Sequence, residues 1–286
     1  MGPSAMRIAG LRESLHRAEI PAHDIGDIDI PIPEVRDPGD PSHKYLDVVE
    51  AACQLLAQRV EEALAQGRLP LVLGGDHSVA IGTISGVAQH LRTDTSQELP
   101  RIGVMWFDAH ADLNTPATSP TGNIHGMPLA CMLGKGPESL TGIGFPGAKI
   151  SSHRVIQIGL RELDPDEKRR INESEITAYT MEDIDRRGLP EGIEEALEKV
   201  QEDCDHLHVS FDIDVIDPRW APGTGTARPG GLTYREAHLA MEMVAETGAV
   251  RSFELVEVNP ILDEGNRTAE VAVGIIASAL GKSLLD

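Results

Sequence analysis

The chain has 286 residues, of which only 3% are aromatic, and 46 acidic side chains against 25 basic ones leave a formal net charge of −21. Nucleic acids and anionic lipid surfaces both call for basic patches, so neither is expected as a partner. No apolar run approaches the ~18 residues of a transmembrane helix, so none is expected either.

Residues 1–7 lack the apolar core of a secretory signal. The cysteines, Cys53, Cys131 and Cys204, are far apart and have no metal-ligand spacing. Such a set fits a reducing, cytoplasmic setting better than a disulfide framework. Acidic metal ligands could account for only a handful of the excess charges; the larger share reads as a surface adapted for solubility, salt or heat. The whole chain, residues 1–286, reads as a single domain with enough length to bury its own core.

In chain order, helices are expected over residues 3–17 and 43–66, then a strand over 69–73 and a helix over 78–91. Strands over 102–107 and 154–158 come next, then a helix over 165–173, a strand over 176–179 and a helix over 190–203. A strand over 207–211 leads to a helix over 233–247, which opens on the capping-box pair Thr233 and Glu236 and stops at Gly248. A strand over 252–256 and a helix over 267–284 complete the set. Alternating strands and helices predict an α/β fold of three α/β/α layers around a mostly parallel sheet. Continuous aliphatic strands suit burial on both faces. Long loops over 112–127 and 214–232 are of the size that usually carries function.

Four strands run directly into polar clusters. Leu71-Val72-Leu73 leads into Gly74-Gly75-Asp76-His77-Ser78, and Val104-Met105-Trp106-Phe107 into Asp108-Ala109-His110-Ala111-Asp112. Leu207-His208-Val209-Ser210-Phe211 leads into Asp212-Ile213-Asp214-Val215-Ile216-Asp217-Pro218, and Phe253-Glu254-Leu255-Val256 into Glu257-Val258-Asn259-Pro260. Ligands of open parallel sheets bind outside the carboxyl ends of the strands, so the clusters should meet in one crevice.

If the strand continues through them, Asp108, His110 and Asp112 alternate and point one way, and Asp212 and Asp214 do the same. With His77 this makes four carboxylates and two imidazoles at one edge. Each motif alone has a plain structural reading, since a lone Asp-x-Asp is usually a turn or cap and a lone histidine usually a hydrogen-bonded core residue. Together they form a cluster of like charge that only cations relieve economically. Six such ligands exceed one ion's needs and suit two ions, about 3.5–4 Å apart with carboxylates shared between them. Oxygen-rich coordination with some imidazole and no thiolate favours manganese, magnesium or iron over zinc; histidine ligation then disfavours magnesium and leaves manganese as first choice.

These segments resemble the three signatures of the ureohydrolase family, and the resemblance runs from Gly2-Pro3-Ser4-Ala5 to the final helix. Within the family it is nearest to the bacterial arginases, through Asp112-Leu113-Asn114-Thr115-Pro116, Gly122-Asn123-Ile124-His125-Gly126-Met127-Pro128, Gly231-Leu232-Thr233-Tyr234-Arg235-Glu236 and Glu257-Val258-Asn259-Pro260. It implies hydrolysis of L-arginine to L-ornithine and urea by a hydroxide bridging two Mn2+ ions per chain. By the same resemblance His77, Asp108, Asp112 and Asp212 would hold the deeper ion, and Asp108, His110, Asp212 and Asp214 the other.

The resemblance further makes Asp112 the proton donor to the leaving amine, His125 the shuttle to solvent, and Glu257 with Thr226 the contacts for the guanidinium. It places Asn114, Thr121 and Asn123 on the substrate carboxylate, and Asp164 with Glu167 on its ammonium. Thr121 stands where serine is more usual in the family and keeps the hydroxyl. Asp164 also reads as a helix N-cap ahead of Pro165, His125 as a loop histidine, and Glu257 as one half of an ion pair with Arg235 or Arg251.

Arginases carry a β-strand and a glycine-rich loop before the Gly-Pro-Ser-Ala segment. This sequence opens at that segment, through a late start, a truncation or true loss of the strand; in the family that strand lies inside the sheet, so its loss is expected to leave unpaired backbone and an exposed apolar face. Homo-oligomers, trimers or hexamers, are a further implication. Rival readings are agmatinase, formiminoglutamase, guanidinobutyrase, a metal-binding regulator without turnover, and a dinuclear phosphoesterase. Agmatine has no carboxylate, so the Asn114, Thr121 and Asn123 set argues for arginine. A phosphoesterase would want basic groups near the metals, where the strand ends offer little besides Arg161.

Overall fold

A computed structural model describes residues 1–32, 35–92 and 98–282. Six strands, β1 (Leu71–Leu73), β2 (Ile102–Phe107), β3 (Val155–Leu160), β4 (Thr177–Thr180), β5 (His206–Asp212) and β6 (Val250–Val256), form one open sheet. Their order is β1-β6-β5-β2-β3-β4, and every neighbouring pair is parallel. Parallel neighbours need crossover connections, which the helices supply.

The helices are α1 (Gly2–Ile8), α2 (Leu11–Arg17), α3 (Leu46–Ala65), α4 (Val79–Leu91), α5 (Pro128–Met132), α6 (Glu138–Thr141), α7 (Pro165–Glu173), α8 (Met181–Arg187), α9 (Leu189–Gln201), α10 (Tyr234–Glu246) and α11 (Arg267–Ala279). Helices α3 to α6 bury apolar side chains against one face of the sheet. On the other face lie α1, α2 and α8 to α11. Along β2, Ile102, Val104 and Trp106 enter the first core and Met105 and Phe107 the second. Both faces are covered, which is why β2 reads as an unbroken apolar run. The three-layer α/β/α architecture is the one expected.

The departures have local causes. The helix expected over 3–17 is two helices, because Gly10 takes φ 88° and turns the chain between them. Tyr45, at φ 57°, delays the start of α3. Helices α5, α6 and α8 lie where no helix was expected; they have four to seven residues, too few for a periodic pattern to declare itself. Helix α8 nevertheless carries a capping box, with Thr180 accepting from the Asp183 N–H. The last helix ends at Ala279, and Leu284 lies outside the described residues. Strand β1 is an edge of the described sheet, and its three residues are only partly buried.

The strand order fixes where a site can form. From β2 the chain moves outward through β3 to β4, then returns to β5 on the other side of β2 and continues to β6. The switch point therefore lies between β2 and β5. Phe107 pairs with Phe211 at that seam, so Asp108 and Asp212 leave the sheet side by side.

Candidate metal centre

Beyond the seam both strands turn sharply, and each time an aspartate makes the turn. Asp108 Oδ1 accepts the N–H of His110 at 2.7 Å, and Asp212 Oδ1 accepts that of Asp214 at 2.7 Å. A side chain that accepts from the backbone two residues on offers the chain an alternative to the strand ladder. Strand β2 consequently stops at Phe107, and residues 213–215 form a short 3-10 helix. The expected alternation of Asp108, His110 and Asp112 along an extended strand is therefore incorrect, as is that of Asp212 and Asp214. The groups converge by folding back, and Asp112 completes its turn at φ 54°.

His77 arrives from the end of β1. Gly74 precedes it, opposite Val256, and a Cβ there would lie 2.6 Å from the Val256 side chain, so only glycine lets the two strand ends close up. The His77 ring lies flat on Trp106, with centroids 4.2 Å apart and planes 10° apart. The Trp106 indole N–H donates to Asp108 Oδ2 at 3.0 Å. On the other edge His77 Nε2 meets Ser210 Oγ at 2.7 Å.

This packing aims His77 Nδ1 at three carboxylate oxygens, those of Asp112 at 3.0 Å, Asp108 at 3.2 Å and Asp212 at 3.3 Å. His110 Nδ1 lies 3.0 Å from Asp214 and 3.4 Å from Asp108. Two groupings with metal-ligand spacing result, His77 with Asp108 and Asp212, and Asp108 with His110 and Asp214. Asp108 belongs to both.

All four aspartates are buried. Burial, reinforced by the charge of Asp108, pushes the Asp112 carboxyl up to about 7. Asp212 is driven well above the ordinary carboxylate range by burial and by Asp214 and Asp108. The imidazoles move with them. Burial opposes charge on His110, yet its hydrogen bonds to Asp108 and Asp214 push it up to about 12. Without a cation the cluster can be neutralised only by protons. His77 Nδ1 and Asp112 Oδ2 are buried without a hydrogen-bond partner, although each is a ligand-type atom. Unpartnered donors at the centre of an oxygen-rich, thiolate-free set fit divalent cations.

Around the cluster, Glu257 sits at φ 66° just past β6, and its Oε1 accepts from the His77 backbone N–H at 2.9 Å. The same oxygen lies 3.0 Å from His125 Nδ1. Burial works against charge on His125, but the bond to Glu257 prevails and raises it to about 9. The ion pair considered for Glu257 with Arg235 or Arg251 is not formed, since Arg235 pairs with Glu242 and Arg251 donates to backbone carbonyls. Thr226 donates to Asp214 Oδ2 at 2.9 Å.

Further out, Asn114 donates to Asp164 Oδ2 at 2.8 Å and accepts from Thr118 at 2.9 Å. Glu167 accepts from the N–H groups of Leu113 at 3.1 Å and Asp164 at 3.0 Å, which ties the loop after β2 to the start of α7. Asp164 is thus both the N-cap of α7 and the partner of Asn114. Thr121 and Asn123 lie exposed on the same loop, with Thr121 Oγ1 accepting the Asn123 N–H at 3.2 Å.

Sequence reasoning passed over Trp106 and Ser210. Each stands two residues before a cluster aspartate on a strand, on the same face, and that period of two was the signal available. Arg161 belongs here as well. Its guanidinium is spent on backbone carbonyls of Asp214, Arg228, Gly159 and Val215. It is therefore committed to holding the turn after β5, away from the phosphate-binding role a phosphoesterase would require.

Together the fold and the cluster define a class, an open parallel α/β sheet whose carboxyl edge carries a buried His and Asp cluster suited to divalent cations. The "Arginase family" profile matches residues 1–281. The arginase of Bacillus caldovelox is 50% identical over 286 residues, spanning 100% of this chain and 93% of that protein. The arginase of Bacillus subtilis is 48% identical over 285 residues, with the same 100% and 93% coverage. The crystal structure of the Bacillus caldovelox arginase superimposes with a TM-score of 0.94 at 50% identity, covering 100% of this chain and 93% of that one. The chain belongs to the arginase family.

Proposed function

We propose that the protein hydrolyses L-arginine to L-ornithine and urea at a centre for two divalent cations, with manganese as the working metal. The reading is carried by one observation, the bare Nδ1 of His77 facing the buried oxygens of Asp108, Asp112 and Asp212. His77, Asp108, Asp112 and Asp212 would hold one ion, and Asp108, His110, Asp212 and Asp214 the other. When bound, the pair of cations supplies a water deprotonated near neutral pH and positive charge beside the carbon under attack.

The remaining roles belong to the chain itself. Glu257 offers a carboxylate to the forked guanidinium, the geometry such a cation prefers. Asp112 passes a proton to the amine that leaves as ornithine. His125, its side chain 28% exposed and bonded to Glu257, moves protons outward to solvent. It carries its proton at neutral pH, which suits a donor. The hydroxyl of Thr226 steadies Asp214 from the substrate side.

At the other end, Asn114, Thr121 and Asn123 offer neutral donors to the α-carboxylate, a sensible choice beside so many carboxylates. Asp164 receives the α-ammonium. Glu167 holds Leu113 and Asp164 in position through one backbone N–H on each oxygen, and its remaining acceptor sites serve the α-ammonium beside Asp164.

Assembly into trimers or hexamers and a cytoplasmic setting complete the proposal. No described helix is long and apolar enough to cross a membrane, and Cys53, Cys131 and Cys204 are free thiols. The deciding measurement is urea release from arginine and from agmatine, with manganese restored after chelation. A site that hydrogen-bonds the α-carboxylate should reject the analogue lacking it by on the order of 10⁴-fold in kcat/KM. Faster turnover of agmatine would overturn the substrate assignment.

A further inference from the structure

Behind the cluster, on the face of the sheet covered by α4, five polar side chains run in a column along β5 and β6. His206, His208 and Ser210 come from β5, and Ser252 and Glu254 from β6, with His208 opposite Ser252 and Ser210 opposite Glu254 in register. All five are buried, and His208, Ser210, Ser252 and Glu254 are 0% exposed. Apolar residues of α4, including Ile81 and Ile84, share the core on this side. A polar column there is not what packing requires.

The bonds at the upper end of the column are directional. Ser210 Oγ donates to Glu254 Oε1 at 2.7 Å. A carboxylate can only accept, and a serine hydroxyl has one proton, so toward its other neighbour Ser210 must accept. That neighbour is His77 Nε2 at 2.7 Å, which therefore carries the ring proton. Nδ1, on the side of the three aspartates, is thereby the nitrogen that can offer a lone pair to a cation. Below Glu254, His208 Nε2 lies 3.4 Å away, and His208 Nδ1 joins Ser252 Oγ at 2.9 Å, which meets His206 Nε2 at 2.8 Å. Although burial works against it, the Glu254 carboxyl is held below its ordinary range by its bond and attraction to His208.

We infer that Glu254, acting through Ser210, is a positioning residue that sets the ring tautomer and orientation of His77 and so prepares one of the two cation sites. Neither residue touches the reacting atoms. The column works as the second layer that histidine ligands generally need, in which the nitrogen facing away from the metal donates to an oxygen that is itself fixed. The inference rests on His77 being a cation ligand. It assigns the column to the His77 grouping and leaves the grouping of Asp108, His110 and Asp214 outside its reach.

The test is a titration of the chelated full-length protein with Mn2+, following free ion by electron paramagnetic resonance, on the unaltered chain and on Ser210→Ala, Glu254→Gln and His77→Asn. Two binding steps are expected for the unaltered chain, and His77→Asn should abolish or strongly weaken one. If His77→Asn keeps both steps unchanged, the ligand assignment itself fails and the inference falls with it.

If one step is lost in His77→Asn, Ser210→Ala and Glu254→Gln should weaken that same step by about 10–100-fold and leave the other within a few-fold. Glu254→Gln is close in shape, so it keeps the fold testable should the alanine variant fail to fold, and the melting midpoint of the metal-free proteins shows whether each is intact. Wild-type affinity for both ions in folded Ser210→Ala and Glu254→Gln overturns the inference. So does equal weakening of both steps, the mark of a merely structural role.

Discussion

Asp112 and Glu257 both hold left-handed backbone, at φ 54° and φ 66°, though neither is glycine. Such a conformation disfavours an ordinary residue by about 1–3 kcal/mol, and it persists only where the surroundings impose it. At Glu257 the surroundings are visible, since its N–H donates to the Gly75 carbonyl at 2.8 Å and its Oε1 takes the His77 N–H. The strain turns a carboxylate from the end of β6 back over the cluster and brings it against His125. Replacing that carboxylate, as in Glu257→Gln, should let the His125 pKa fall from about 9 toward its ordinary value of 6.5. NMR titration of the imidazole in the metal-free protein would read this. The sign for stability follows from the raised value. The pair's contribution is fully present below about 6.5 and is lost as pH rises through 9. The substituted protein should therefore lack that decline in stability between pH 6.5 and 9. An unmoved His125 titration would show that Glu257 is not its governing partner.

Among the elements, the contact of α3 with α4 explains how His77 is held from behind. Helix α4 begins one residue after Ser78 and presents Gly82 and Gly86 to α3. A Cβ at Gly82 would lie 2.8 Å from the Cys53 carbonyl oxygen, and one at Gly86 would lie 2.4 Å from that of Ala57. Two small residues four apart on one helix face let the backbones of α3 and α4 approach closely. Gly86→Ala should overpack this contact and destabilise the fold by about 1–3 kcal/mol, measured as a fall in denaturant midpoint. An unchanged midpoint would mean that α3 moves aside freely. The long elements here were legible in the sequence because fifteen or so residues average out local exceptions. The breaks were not, because a single backbone angle at Gly10 or Tyr45 decides each one.

For the whole molecule, a formal charge of −21 and a buried group of four aspartates pull in the same direction. Self-repulsion opposes the compact state, and cations at the cluster relieve the densest part of it. An ion bound only by the folded chain contributes about 4 kcal/mol when present at a thousand times its Kd. Chelation should therefore lower the melting temperature by on the order of 10 °C or more, since 1 kcal/mol moves a protein of this size by about 2–4 °C. Added salt should restore part of the surface contribution through screening, and none of what the cluster itself lost. A melting temperature indifferent to both chelation and salt would remove the electrostatic account of this molecule.

Composition and pattern alone determined the layered α/β class, the parallel sheet and the identity of the clustered His and Asp residues. Aliphatic runs, glycines and carboxylates in short motifs are local signals, and the carboxyl-edge rule turns four such motifs into one crevice. Only the tertiary structure decided how they meet. The aspartates converge through turns they make with their own side chains, and no continued strand carries them. Glu167 ties Leu113 to Asp164, Arg161 is taken up by carbonyls, and Ser210 and Glu254 stand behind His77. Those outcomes depend on which strand lies beside which and on the register between them, and β5 and β6 are separated by the whole of α10 along the chain. A hydrogen bond between neighbouring strands has no periodicity within either one, so it becomes readable only once the sheet is assembled.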